Sequence, residues 1–169
     1  MYYISMKFLL SVILLIGLYL GIGEKIPAAE IVQVDKEEKG VVVRVIDGDT
    51  IVVNLAGVEK TVRYIGVDTP EPYRDKEPAC YSAEATERNK KLVSEKEVRL
   101  ISDVGDVDRY DRLLRYVYVG DMFVNEILVK EGYATKLSIS PNTKNASRFS
   151  QLEREAVAQK RGLWGVCPT

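Results

Sequence analysis

Carboxylates and arginine gather along one stretch of this chain, Val41 to Pro72, VVVRVIDGDTIVVNLAGVEKTVRYIGVDTPEP. Asp47 and Asp49 flank Gly48, Asp68 precedes Thr69-Pro70, Glu71 follows at once, and Arg63 lies five positions before Asp68. Gathered at strand ends, these residue types suit a metal-assisted phosphate site: carboxylates hold a hard cation, and a guanidinium matches phosphate oxygens as a planar fork. Asp49 and Asp68 come from different strand ends and can offer two anionic oxygens to one cation, with the Thr69 main-chain carbonyl as a third. Asp47 suits a place behind them, holding Asp49 or polarising a water on the cation. Glu71 can reach a water near the same place. A second basic segment, Asp108-Arg109-Tyr110-Asp111-Arg112, offers two more guanidinium groups and a phenol, with Arg115 just beyond. Each motif also has a plainer reading, since Asp-Gly and Thr-Pro are common turn formers and acidic turns usually face solvent.

The elements that must position these groups can be read from periodicity. Val41–Ile46, Thr50–Leu55 and Lys60–Ile65 are rich in β-branched residues, with turns at Asp47-Gly48 and Ala56-Gly57. Pro70, Pro72 and Pro78 mark an irregular loop. Ser82 is expected to cap a helix running to about Val93, with Glu84 favourable in its first turn. Val98–Ile101 and Leu113–Val119 read as a fourth and fifth strand, joined by the charged loop Ser102–Arg112. Met122–Glu131 has helical spacing with Val124, Ile127 and Leu128 inward, and Gly132 is placed to end it. Asn145–Lys160 reads as a last, mostly polar helix with Phe149, Leu152 and Val157 on its apolar side. Trp164 suits a core or helix-docking aromatic. Five short strands with late helices suggest a small barrel, and propensity alone leaves an α+β sandwich open.

Composition narrows the chemistry. The chain has 169 residues, 46% hydrophobic and 29% charged, with a net charge of −1, enough for one core. A binder that relied on a broad basic surface would be basic, so phosphate recognition here must be local. There is no histidine, which excludes histidine bases, histidine nucleophiles and most catalytic zinc sites. Two cysteines cannot build a structural zinc site alone. Proton transfer falls to a carboxylate, lysine or tyrosine, and any metal is oxygen-ligated, which favours calcium or magnesium.

Residues 1–23 read as a signal peptide or membrane anchor: Lys7 precedes an unbroken apolar run over residues 8–23, short for a span of about 20 residues. Residues 24–39 read as a linker, and 40–169 as the globular domain. The domain is therefore expected to be secreted or otherwise outside the cytoplasm, touching a membrane only if residues 8–23 are retained. In that oxidising setting Cys80 and Cys167 are expected to form a disulfide, pinning the C-terminal segment to the loop after Glu71. Two separately buried thiols are the alternative.

Taken together, VIDGDT, RYIGVDTPE and DRYDR resemble the staphylococcal nuclease (thermonuclease) family in order and spacing, from about Gly40 to Gly165. The resemblance implies an α+β, mainly β fold: a five-stranded OB-type barrel packed by three helices, an architecture that often binds oligonucleotides. It implies a monomeric, Ca2+-dependent endonuclease acting on DNA and RNA and leaving 3′-phosphates. The family's calcium ligands fall on Asp49, Asp68 and Thr69, its catalytic arginines on Arg63 and Arg112, and its general base on Glu71. Arg109 and Arg115 compete with Arg112, and Tyr110 is a candidate phosphate-binding hydroxyl. Two departures stand out. Asp111 replaces a usual glycine, and Leu137 and Ile139 stand where the family carries base-stacking tyrosines, leaving Tyr133 as the nearest substitute. Two other readings remain at this point, a non-catalytic OB-type nucleic-acid-binding module and a surface-anchored interaction domain with a structural calcium site.

Overall fold

β-branched residues dominate the strands that carry the acidic cluster, because their stiff side chains pack well on a pleated surface. The computed structural model describes residues 36–72 and 77–168. Residues 1–23, read as a leader, and the linker up to residue 35 lie outside the described residues. In chain order the strands are β1 (Glu37–Val45), β2 (Thr50–Leu55), β3 (Val58–Tyr64), β4 (Val67–Asp68), β5 (Glu97–Ile101), β6 (Leu113–Val119), β7 (Met122–Phe123) and β8 (Thr135–Lys136). The helices are α1 (Ser82–Val93), α2 (Val124–Lys130), α3 (Ala146–Ala158) and a single turn, α4 (Leu163–Val166).

β1 pairs antiparallel with β2 on one side and β5 on the other, β2 with β3, and β5 with β6. β3 and β6 then pair in parallel and close a five-stranded barrel. That closing seam sets Val62 opposite Leu113, Arg63 opposite Leu114 and Tyr64 opposite Arg115. A bulge between Val42 and Arg44 bends β1, as closure of a small barrel requires. Ile51, Val53, Val62, Val98, Leu100 and Val117 fill the interior, and Val124, Leu128, Phe149 and Leu152 from the helices continue the same core. The closed barrel with three packed helices is the architecture the motifs imply, and it excludes the sandwich.

Three details differ from the sequence reading. β1 opens at Glu37 rather than after Gly40, because Glu37 and Glu38 pair with Ile101 and Leu100 and the Glu38 carboxylate is drawn in by Arg115. Ser82 is the first residue of α1 and not its cap; Tyr81 holds the cap position with a left-handed backbone and makes no side-chain capping bond. On α3 the buried residues are Phe149, Leu152 and Ala156, whereas Val157 is 45% exposed, so the inward face runs through Ala156 in place of Val157. Trp164 is half-buried on α4, which packs on α3, consistent with a docking aromatic.

Candidate active site

The turn from β1 to β2 is built so that a carboxylate enters the protein. The Asp49 N–H donates to Asp47 Oδ1 at 3.0 Å, which folds the Asp47-Gly48-Asp49 segment on itself. A Cβ on Gly48 would lie 2.6 Å from Thr69 Oγ1, so only glycine lets this turn press against the Thr69 segment. Asp49 is completely buried there. Its Oδ2 accepts the Thr69 N–H at 2.7 Å and the Thr69 hydroxyl at 3.0 Å, and its Oδ1 accepts the Thr50 hydroxyl at 3.2 Å.

Arg63 arrives from β3, directly across the ladder from Thr50. One side of its guanidinium pairs with Asp49 Oδ2 and the other with Asp68 Oδ1, both at 2.7 Å, and Nη1 also donates to the Val67 carbonyl at 2.9 Å. A single guanidinium thus gathers two carboxylates that lie 19 positions apart in the chain. Burial raises the Asp49 pKa to about 7; the Arg63 charge opposes that rise, the Asp47 charge adds to it, and the Thr69 donors oppose it. Asp68 is half-exposed, at the mouth of the site, on a short β4 held by β8.

Glu71 follows on an exposed loop. Partial burial and the Asp47 charge raise its pKa, Arg63 lowers it, Asp68 raises it and Arg112 lowers it. Charge from Arg112, on the second arginine segment, thus reaches Glu71 together with that of Arg63. A cleft of about 380 Å³ has both Arg63 and Arg112 in its lining, with Leu114, Leu137 and Ile139 as an apolar wall. Arg112 Nε donates to Asp108 Oδ2 at 2.7 Å, and its guanidinium lies 5.4 Å from the Tyr110 ring. Asp111 adopts a left-handed backbone, φ 63°, the conformation that glycine takes most readily.

The competing arginines separate cleanly. Arg115 is fully buried, bound to Glu38 Oε2 at 2.8 Å and Asp106 Oδ1 at 2.7 Å, so it is an interior strut. Arg109 is exposed and donates to the Tyr110 hydroxyl at 2.7 Å. Tyr110 itself is 64% exposed at the rim. Tyr133 stacks on Tyr81 at 5.4 Å and does not line the arginine cleft, so it does not replace the missing tyrosines there.

The donor chemistry fits a hard cation. Asp49, Asp68 and the Thr69 carbonyl are all oxygen donors, and the like charges of Asp47, Asp68 and Glu71 are brought together without enough arginine to balance them. Among the described residues no three acidic, cysteine or histidine side chains are placed to hold one ion together, so most of the shell would be water and substrate.

Two positioning residues escape the sequence reading. Asn89 is fully buried on α1; its amide donates to the Asp47 carbonyl at 2.9 Å and its Oδ1 accepts the Tyr64 hydroxyl at 2.9 Å. Asn142 ties the 137–145 segment to Gly105 through two hydrogen bonds, at 2.6 and 3.0 Å, across the mouth of the cleft. A polar residue on the buried face formed by Ser82, Ala85, Leu92 and Val93 was the available signal for Asn89. The predicted disulfide between Cys80 and Cys167 is present, spanning 87 positions.

Comparison with known proteins agrees with this geometry. The staphylococcal nuclease homologue family model matches residues 61–166. The chain is 41% identical over 124 residues to a thermonuclease of Staphylococcus hyicus, covering 73% of each. It is 45% identical over 126 residues to Endonuclease YncB of Bacillus subtilis, covering 72% of this chain and 59% of that one. Against the SPbeta prophage-derived endonuclease YokF of the same organism it is 44% identical over 126 residues, but that alignment spans only 42% of the longer relative. An arginine-clamped carboxylate pair on a closed five-stranded barrel, and this degree of identity, make the chain a member of the staphylococcal nuclease family.

Proposed function

We propose that the protein is a calcium-dependent phosphodiesterase that hydrolyses DNA and RNA as a monomer outside the cytoplasm. One observation carries the reading: Arg63 and Arg112 line a single cleft, and Arg63 at the same time holds Asp49 to Asp68. A phosphodiester in that cleft presents its non-bridging oxygens to two guanidinium groups, and charge grows on those oxygens as water adds to phosphorus. The Glu71 carboxylate takes the proton of the attacking water, the phosphorus–oxygen bond opposite the new one breaks, and the departing sugar oxygen leaves as a hydroxyl with a proton from solvent. A calcium ion held by Asp49, Asp68 and Thr69 would supply positive charge beside the phosphate. Asp108 keeps Arg112 aimed by holding its Nε, which leaves the outer nitrogens for substrate. The aliphatic wall of Leu137 and Ile139 favours weak, base-tolerant contacts, since a stacked aromatic is worth about 1–3 kcal/mol per base.

Incubation of the purified protein with plasmid and with RNA tests this directly. Degradation of both is expected in calcium, none in the presence of a chelator, and much less in magnesium alone, because magnesium demands a regular octahedron that so few protein ligands cannot complete. Intact plasmid and RNA after incubation of the folded protein with calcium would remove the enzyme reading in favour of a binding module. Intact mass of the chain recovered from culture medium shows whether residues 8–23 are cleaved or kept as an anchor.

A further inference from the structure

Glu71 has an unusual tether for a residue assigned to proton transfer. Pro70 and Pro72 flank it, so neither neighbour has an N–H with which to fix the backbone. Among the described residues, partial burial and the charges of Asp47, Arg63, Asp68 and Arg112 act on its carboxylate, and no side-chain hydrogen bond holds it. Its position therefore depends on how the two ends of the segment are tied. On the N-terminal side Thr69 is bound to Asp49 through its N–H and hydroxyl. On the C-terminal side the Ala79 N–H donates to the Glu71 carbonyl at 3.0 Å, and the next residue is Cys80, bridged to Cys167. Cys167 is itself anchored, since its N–H donates to the Leu163 carbonyl at 2.9 Å and the Leu163 N–H to the Gly132 carbonyl at 2.9 Å. A second cleft, about 260 Å³, has Asp68, Thr69 and Glu71 on one wall and Cys80 and Cys167 on the other.

We propose that the Cys80–Cys167 bridge is a positioning device for Glu71: it fixes the far wall of the metal-side cleft and thereby the carboxylate, so that turnover depends on the bridge. The inference rests on the nuclease reading and adds to it a control of the same site by the state of one disulfide. A small dithiol supplies the two electrons and two protons that convert the Sγ–Sγ bond into two thiols, and itself closes to a cyclic disulfide. Neither cysteine lines the Arg63–Arg112 cleft, so substrate binding there is left intact.

The test compares steady-state kinetics of the oxidised full chain, the dithiol-reduced chain and Cys80→Ser/Cys167→Ser in calcium, at a temperature where circular dichroism shows each form folded. Loss of the bridge is expected to lower kcat roughly 10- to 100-fold, the scale of a displacement of about 1 Å in a catalytic group, with KM within about twofold. In Glu71→Gln the same reduction is expected to change residual turnover less than about twofold, because the bridge then has no base to position. Unchanged kcat in the folded, reduced protein overturns the proposal. A drop of equal size in the Glu71→Gln background also overturns it, since the bridge would then act elsewhere. Should the serine variant fail to fold, Ala79→Pro, which deletes the donor to Glu71 while mass confirms the intact bridge, is expected to show the same selective fall in kcat, and unchanged turnover there is equally fatal. An oxidised wild-type chain with no activity at all refutes the nuclease reading instead, so the two failures are distinguishable.

Discussion

At the scale of single residues, the two cleft arginines have different duties and their conservative variants separate them. Lysine keeps a charge but loses the planar fork. Arg112→Lys removes a donor to the developing phosphate charge and should lower kcat about 10²–10³-fold, with cation affinity unchanged. Arg63→Lys should lower kcat similarly and also weaken cation binding, because one ammonium cannot span Asp49 and Asp68 as the guanidinium does at 2.7 Å to each. Kinetics paired with calcium titration by calorimetry checks both. Near-normal turnover in Arg112→Lys would hand its role to Arg109. Arg115, fully buried among carboxylates, is no longer a contender.

Among the elements, the loop between β5 and β6 matters most, because it carries Arg112. It is tied down by Arg115, which binds the Asp106 carbonyl at 3.0 Å, the Asp106 carboxylate and Glu38 on β1. Burial alone would raise the Glu38 pKa, but hydrogen bonds and charge from Arg115 and Lys36 outweigh it and hold the carboxyl below its ordinary 4.5. A carboxyl depressed in the folded state stabilises it fully above that ordinary value and loses the contribution as pH falls through the folded value. Thermal melts stepped downward from neutral pH should therefore steepen in acid for the wild type and do so less for Glu38→Gln; parallel curves would refute the assignment. The strand bounds of β2 and β6 were legible to the residue: β2 is a β-branched run between Asp-Gly and Ala-Gly turns, and β6 an aliphatic and aromatic run ended by Gly120. The acidic residues were legible because they sit at strand ends. Arg115, Asn89 and Asn142 were not, because their roles arise from partners 77, 42 and 37 positions away, which no local pattern encodes. Val157 was misplaced because a large apolar residue outranks alanine in a pattern, whereas the buried face of this close-packed helix takes the small Ala156.

For the whole molecule, the ladders that β1 forms with β2 and β5 run from Glu37 to Val45. A chain starting at Val34 should melt cooperatively at the same temperature as the full protein and keep its turnover; a lower midpoint would show that the first 33 residues contribute to the domain. The closing seam has a sharper implication. Arg63 is on β3 and Arg112 immediately precedes β6, and those strands meet only in the parallel pairing that completes the barrel. Parallel pairing of segments some 50 positions apart carries a loop-closure cost that more local hairpins avoid. On refolding from denaturant, turnover should thus return no earlier than the full near-ultraviolet signal, and well-developed activity in a species still lacking that signal would contradict the idea. A barrel still open therefore owns both guanidinium groups without owning the cleft: the same stitch that closes the cylinder brings its two cationic halves face to face.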